Sequence, residues 1–161
     1  MSARPPLTSL PILLATGFGS GYLPKAPGTW GSALAALLAW PIVETGGIVA
    51  LATAALLATL IGIKVTDIYQ DRTGESDPGA VVIDEFAGQW LTLLVCPLDP
   101  DWWLVGFCAF RLFDIAKPWP VRWIDRKMKS ATGVMLDDIA AGVYAVVLIL
   151  LLREFAPTIL S

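Results

Sequence analysis

Between Gly46 and Ile63 the chain runs for 18 residues without a charged side chain. A helix of about 20 apolar residues is what a hydrocarbon layer roughly 30 Å thick requires, and backbone amides in lipid must be satisfied within the segment itself. The rest of the chain agrees with a membrane setting. Its 161 residues are 56% hydrophobic and 16% charged, where a soluble domain carries about 45–50% and about 25%. The length suits one domain, spanning residues 1–161. The composition excludes a disordered chain, a collagen-like repeat and a disulfide scaffold. A net charge of −3 argues against a nucleic-acid partner.

The apolar stretches divide the chain. Met1 to Pro6 reads as a frayed end and Leu7 to Phe18 as a short interfacial or half-buried helix, with no convincing signal peptide. Gly19 to Gly28 is rich in helix breakers. Thr29 is expected to cap a helix through Val43, and Glu44 to Gly47 to form a turn before the uncharged run. Gln70 to Gly79 is a polar loop, followed by apolar stretches at Val81–Val95 and Trp102–Ala116 around a turn at Cys96–Asp101. Val121–Thr132 is basic and amphipathic, and Gly133–Leu152 is the last long helix. The expectation is an all-α, small multi-pass membrane protein: about five membrane-embedded helices with two short interfacial ones.

Basic residues orient these segments. One side receives Arg4, Lys25, Lys64, Arg72, Lys117, Arg122, Arg126, Lys127 and Lys129; the other receives only Arg153. The positive-inside rule places the basic side in the cytoplasm. Trp119 and Trp123 on that side, and Trp40, Trp102 and Trp103 on the other, are expected as interfacial anchors.

The acidic residues gather at the same depth. Asp67 and Asp71 end one helix, Asp84 and Glu85 open the next, Asp114 closes another, and Asp137 and Asp138 open the last. Ionisable groups at or below a membrane interface are costly and point to function. Seven carboxylates left alone repel one another, and a divalent cation relieves that. The chain has no histidine, which removes Ser-His-Asp and Cys-His chemistry and most zinc sites. Cys96 and Cys108 match neither a metal clip nor a redox pair. An all-oxygen set selects a hard ion, Mg2+ first, and carboxylate-held Mg2+ commonly accompanies a phosphate-bearing substrate. The loop Lys25-Ala-Pro-Gly-Thr29-Trp-Gly-Ser32 offers amides and hydroxyls at a helix N-terminus, where anions bind. A cation or proton transporter is the alternative, although transporter sites lie near the midplane. A phosphatidyltransferase is a third reading, without its dense aspartate motif.

Four segments carry a resemblance. Gly17-Phe-Gly-Ser-Gly21 with Ala26-Pro-Gly-Thr-Trp-Gly-Ser32, Val82-Ile-Asp-Glu-Phe-Ala-Gly88, Phe110-Arg-Leu-Phe-Asp-Ile-Ala-Lys-Pro-Trp-Pro120 and Gly133-Val-Met-Leu-Asp-Asp-Ile-Ala-Ala-Gly142 together resemble the phosphatidylglycerophosphatase A family, in order, from about Leu13 to Tyr144. The resemblance implies a Mg2+-dependent, multi-pass lipid phosphatase of the bacterial inner membrane. Such an enzyme converts phosphatidylglycerophosphate to phosphatidylglycerol and phosphate with its site facing the cytoplasm. It implies membrane lipids as surroundings and no obligate protein partner. On that reading Asp84, Glu85 and Asp138 are catalytic. Asp84, Glu85, Asp114, Asp137, Asp138 and Asp67 are the metal ligands, and Lys25, Thr29, Arg111 and Lys117 hold the substrate phosphate.

Overall fold

The computed structural model describes residues 4–155 and is all-helical, with no strand among them. The helices are α1 (Leu10–Ala15), α2 (Pro27–Thr73), α3 (Ile83–Leu93), α4 (Pro100–Ala116), α5 (Val121–Lys127) and α6 (Ala131–Phe155), with a 3-10 turn at Ser20–Tyr22.

α2 is helical over 47 residues but is broken at Gly47, whose φ of 69° and ψ of −174° are open to glycine and strained for other residues. The break reverses the chain. A Cβ on Gly28 would lie 2.0 Å from Glu85, and one on Gly62 would lie 3.4 Å from Ile83. In a straight helix these two glycines would stand about 50 Å apart, yet both meet the first turn of α3. The turn expected at Glu44–Gly47 is therefore a helical hairpin pivoting on Gly47. At its start Pro27 takes the first helical position and Ala26 the cap position, with no side-chain cap bond. Thr29 falls inside the first turn instead of capping it, because proline's fixed φ and missing N–H suit the opening position.

α3 lies at the centre, packed on α2, α4 and α6, with eight of its 11 residues buried. Gly88 makes this possible: a Cβ there would fall 2.5 Å from the Phe110 ring and 2.6 Å from the Asp138 carbonyl oxygen. Small residues at such crossings let membrane helices approach closely. Asp99 caps α4 by accepting from the amides of Asp101 and Trp102, at 3.0 and 3.2 Å.

Two helices, α2 and α6, are long and apolar enough to cross a membrane. Only 28% and 39% of their most apolar windows are buried in the protein, so most of that surface faces outward. Leu56, Leu57, Leu60, Val147, Leu150 and Leu151 are all exposed, and an apolar exterior of this kind suits a membrane-associated protein. The five stretches expected as embedded helices fall on the two arms of α2 and on α3, α4 and α6, of which only α2 and α6 have the length and apolarity of a span. At 1.5 Å per residue α3 and α4 are about 17 and 26 Å long, short of a 30 Å core.

Two further expectations change. Of the expected frayed end, Met1–Ala3 lie outside the described residues, while Arg4 and Pro5 are held down. The Arg4 guanidinium donates to the Tyr22 carbonyl and the Tyr22 hydroxyl to the Pro5 carbonyl. Trp102 and Trp103 are buried, not interfacial. The Trp103 indole N–H donates to the Ala36 carbonyl at 2.9 Å, and its ring meets Trp40 edge-on.

Candidate active site

One end of the bundle collects the start of α2, the start of α3, the end of α4, α5 and the start of α6. Each contributes a polar side chain; those of α2, α3, α4 and α6 interrupt otherwise apolar helices, and that of α5 stands on a basic one. Glu85 stands on the first turn of α3, where its carboxylate lies against Gly28 at the N-terminus of α2. Only a glycine leaves that space, and the positive end of the α2 dipole favours the negative group. Glu85 accepts from the Ser32 hydroxyl at 2.6 Å and from the Arg111 guanidinium. Arg111 also meets Asp114 at 2.9 Å, one turn along α4, and the Ser32 hydroxyl at 3.1 Å.

A second group lies beside the first. Lys117 ends α4 in the left-handed region, with a φ of 44°. Its ammonium bridges Asp125 of α5 at 2.7 Å and Asp137 of α6 at 2.8 Å. Burial works against the charge on Lys117, but the hydrogen bonds it donates to the two carboxylates outweigh that and hold the ammonium above its usual range. Burial likewise opposes the charge on Asp125, and the Lys117 hydrogen bond overcomes it, holding the carboxyl below the usual range.

Asp84 and Asp138 complete the arrangement. Asp84 is half-buried at the head of α3 and accepts from the Glu85 amide at 3.0 Å. Asp138 is 3% exposed, and its Oδ2 has no hydrogen-bond partner. Both lie within electrostatic reach of Glu85, Asp114 and Asp137. Six carboxylates, Asp84, Glu85, Asp114, Asp125, Asp137 and Asp138, thus share two cations, Arg111 and Lys117. Such an imbalance is costly in a low-dielectric setting unless another positive charge joins it.

The donor chemistry fits a hard divalent cation. All the surplus groups are carboxylates, and Asp138 Oδ2 is a buried acceptor with nothing to accept from. As they stand, no three acidic or cysteine side chains among the described residues converge into a finished coordination shell. Glu85 and Asp137 each spend at least one oxygen on a cation.

Of the residues expected at the site, Asp84, Glu85, Arg111, Asp114, Lys117, Asp137 and Asp138 come together. Arg111 and Lys117, expected to hold phosphate, are each engaged by two carboxylates. Asp67 does not join the group; it is exposed on the second arm of α2, while its neighbours Thr66 and Tyr69 point inward. Lys25 is exposed and has no hydrogen bond to the buried acids. It lines a separate cavity of about 430 Å3 with Arg4, Tyr69 and Glu75. Thr29 is half-buried next to Gly28.

Sequence reasoning missed Asp125, whose tie to Lys117 depends on α5 turning back over α6. It also missed Gln89, fully buried one turn below Glu85 with neither end of its amide hydrogen-bonded. The signal for Gln89 was present: it interrupts an apolar run four residues after Glu85.

Comparison with known proteins shows the family. A family model described as phosphatidylglycerophosphatase A matches residues 13–153. A phosphatidylglycerophosphatase A of Escherichia coli strain K12 is 42% identical over 132 residues, 81% of this chain and 76% of that protein. One of Haemophilus influenzae is 38% identical over 138 residues, 85% of each chain. A Bacteroides thetaiotaomicron protein, provisionally named a phosphatidylinositol-3-phosphatase, is 42% identical over 151 residues, 89% of this chain and 94% of that protein. No solved structure matches. With the family model covering most of its length and two relatives of that name matched over at least three quarters of theirs, the chain belongs to the phosphatidylglycerophosphatase A family.

Proposed function

We propose that this protein is a Mg2+-dependent phosphomonoesterase that removes the terminal phosphate of phosphatidylglycerophosphate at the cytoplasmic face of a bacterial inner membrane. The observation that carries the reading is the buried surplus of carboxylates around Asp138 Oδ2, at the basic end of an apolar bundle, in a chain of this family. All the acids of the group sit at one end of the helices, which favours interfacial chemistry over a conducting path through the midplane.

Asp84, Glu85, Asp114, Asp137 and Asp138 would hold the ion; Asp67 stays outside the set. Mg2+ bound there supplies positive charge to the phosphoryl oxygens and makes a water more acidic. The remaining work falls to the chain. Asp138, with a free carboxylate oxygen, is placed to take a proton from the attacking water. Arg111 fixes Glu85 and Asp114, so these carboxylates need no rearrangement when charge develops. Lys117 fixes Asp137 and offers its ammonium to an incoming phosphate. In the first turn of α2 the Gly28 amide, beside Glu85, would serve an oxygen of the same phosphate; the Thr29 amide, expected to share that role, is already spent on the Ala26 carbonyl at 3.0 Å. The tight packing of α3 keeps bulk water from the apolar side of the group.

The test is release of inorganic phosphate from phosphatidylglycerophosphate by the purified protein in detergent, before and after chelation and on return of Mg2+. Activity that disappears in EDTA and returns with Mg2+ but poorly with Zn2+ supports the reading; undiminished activity after exhaustive stripping refutes it. The Bacteroides relative makes phosphatidylinositol 3-phosphate the comparison substrate, and faster turnover of that lipid would move the proposal to an inositol-lipid phosphatase.

A further inference from the structure

α5 and the turn before it enclose a second basic site. Lys117, Trp119, Arg122, Trp123, Arg126 and Lys127 line an open cavity of about 420 Å3. Among the described residues Arg126 and Lys127 have no carboxylate partner, and Arg122 spends one N–H on the Ala116 carbonyl at 3.3 Å. The two indoles are exposed, Trp119 by 78% and Trp123 by 53%. Trp119 is nevertheless held in place, because the Tyr144 hydroxyl donates to its carbonyl at 2.6 Å. This concentration of unpaired positive charge belongs to a chain whose net charge is −3. The catalytic reading uses only Lys117 of these residues.

We propose that this cavity binds the phosphodiester headgroup of an anionic phospholipid of the surrounding bilayer, beside the carboxylate group and separate from the lipid being hydrolysed. Charge complementarity selects an anion. Position selects a lipid: the cavity begins where the outward apolar face of α4, carrying Leu112 and Ile115, gives way to Lys117. A headgroup at that level has its acyl chains against α4 and its phosphate among Arg122, Arg126 and Lys127. Exposed tryptophans favour this depth, with the apolar body of the ring toward hydrocarbon and its N–H toward water. The phosphate also approaches Lys117, the ammonium that Asp125 and Asp137 hold from the other side.

The proposal is independent of the phosphatase reading, since its probe carries no phosphomonoester and its readout needs no turnover. Purified full-length protein in neutral detergent is titrated with phosphatidylglycerol and with phosphatidylcholine, and bound lipid is counted by native mass spectrometry. Two variants of equal charge are compared. Arg126→Gln/Lys127→Gln empties the cavity of two cations, and Lys64→Gln/Arg72→Gln removes two from the same end of the bundle but outside it. The wild type is expected to favour phosphatidylglycerol at least tenfold. At about fivefold per basic residue near an anionic headgroup, the cavity pair should lose roughly thirtyfold in affinity and the outside pair about twofold or less. If the cavity pair fails to fold, Trp123→Ala takes its place, with a loss of about fivefold or more expected. Equal losses in the two pairs mean a diffuse surface charge with no headgroup site, and overturn the proposal. So does a wild type without headgroup preference, or a folded cavity variant that keeps it.

Discussion

Gly28→Ala tests whether the contact between the start of α2 and Glu85 sets the geometry of the site. The new Cβ would lie 2.0 Å from Glu85 Oε1 and 3.4 Å from an Arg111 nitrogen. The carboxylate must recede by about 1.4 Å to reach ordinary van der Waals contact. It is not free to do so, because the Ser32 hydroxyl and the Arg111 guanidinium hold its other oxygen. Losing one charge-assisted hydrogen bond costs about 1.5–3 kcal/mol. The better helix propensity of alanine returns up to about 1 kcal/mol, and less than that in a first turn. The net destabilisation is about 1–2 kcal/mol, small enough for the protein to stay folded. Turnover should suffer far more: a misplacement of about 1 Å in a catalytic arrangement can cost on the order of a hundredfold. The assay is phosphate release at saturating substrate, paired with thermal unfolding in the same detergent. Gly79→Ala is the control, since a Cβ there meets nothing within 4 Å, and both measurements should stay at the wild-type level. Turnover by Gly28→Ala within about threefold of wild type would show that the Glu85 position does not govern the chemistry.

Asp84→Asn and Asp138→Asn should each lower turnover by about two orders of magnitude or more, while the unfolding temperature holds or rises, because the change relieves repulsion among the acids. Loss of activity only through unfolding would make these acids a structural network. The Lys117–Asp125 pair predicts a stability profile. Asp125 is held below the unfolded value of about 3.9 and Lys117 above about 10.4. The contribution of Asp125 is present above pH 4 and lost as acid carries the pH through its folded value; that of Lys117 is present below pH 10 and lost as alkali passes its own. The melting difference between wild type and Asp125→Asn should therefore stay level from about pH 5 to 9 and shrink in stronger acid; shrinkage within the plateau contradicts the pairing. Ser76→Cys, in a background with Cys96 and Cys108 replaced, should resist impermeant thiol reagents in intact cells. Labelling from outside would reverse the orientation.

The acids at the site were legible because a carboxylate that breaks an apolar helix is conspicuous, and Asp84, Glu85, Asp114, Asp137 and Asp138 all do so. The reversal at Gly47 could be read from the small residues around it. What escaped depends on the direction a helix face turns once packed. Asp67 shares the depth of the other acids but not their direction, for Thr66 and Tyr69 take the inward positions on that turn. Trp102 and Trp103 look like interfacial anchors in sequence, since an indole serves equally in a headgroup layer and in a core with a carbonyl to meet its N–H. The Lys117–Asp125 pair is eight residues apart across a chain reversal, a spacing with no helical signature. Arg111 and Asp114, by contrast, are three residues apart on one helix, a spacing at which side chains do meet.

The hairpin at Gly47 bears on how such a chain enters a bilayer. Its tip carries only one charged residue, Glu44, and no lysine or arginine. The opposite-side turn between α3 and α4 likewise offers only Asp99 and Asp101. On the proposed orientation, with the basic end kept in the cytoplasm, insertion would carry acids across the membrane but no cation until Arg153, and it is cations in short loops that resist transfer. Because both arms of α2 close on the head of α3, they can enter as one unit, with both ends of the hairpin left on the side where synthesis occurs. Arg153, the late exception, finds the Val95 carbonyl at 2.7 Å on arrival. A basic substitution at Gly46 or Ala50 would therefore act on assembly before it acted on catalysis, and its effect would appear as lost protein in the membrane fraction with normal turnover in whatever remained.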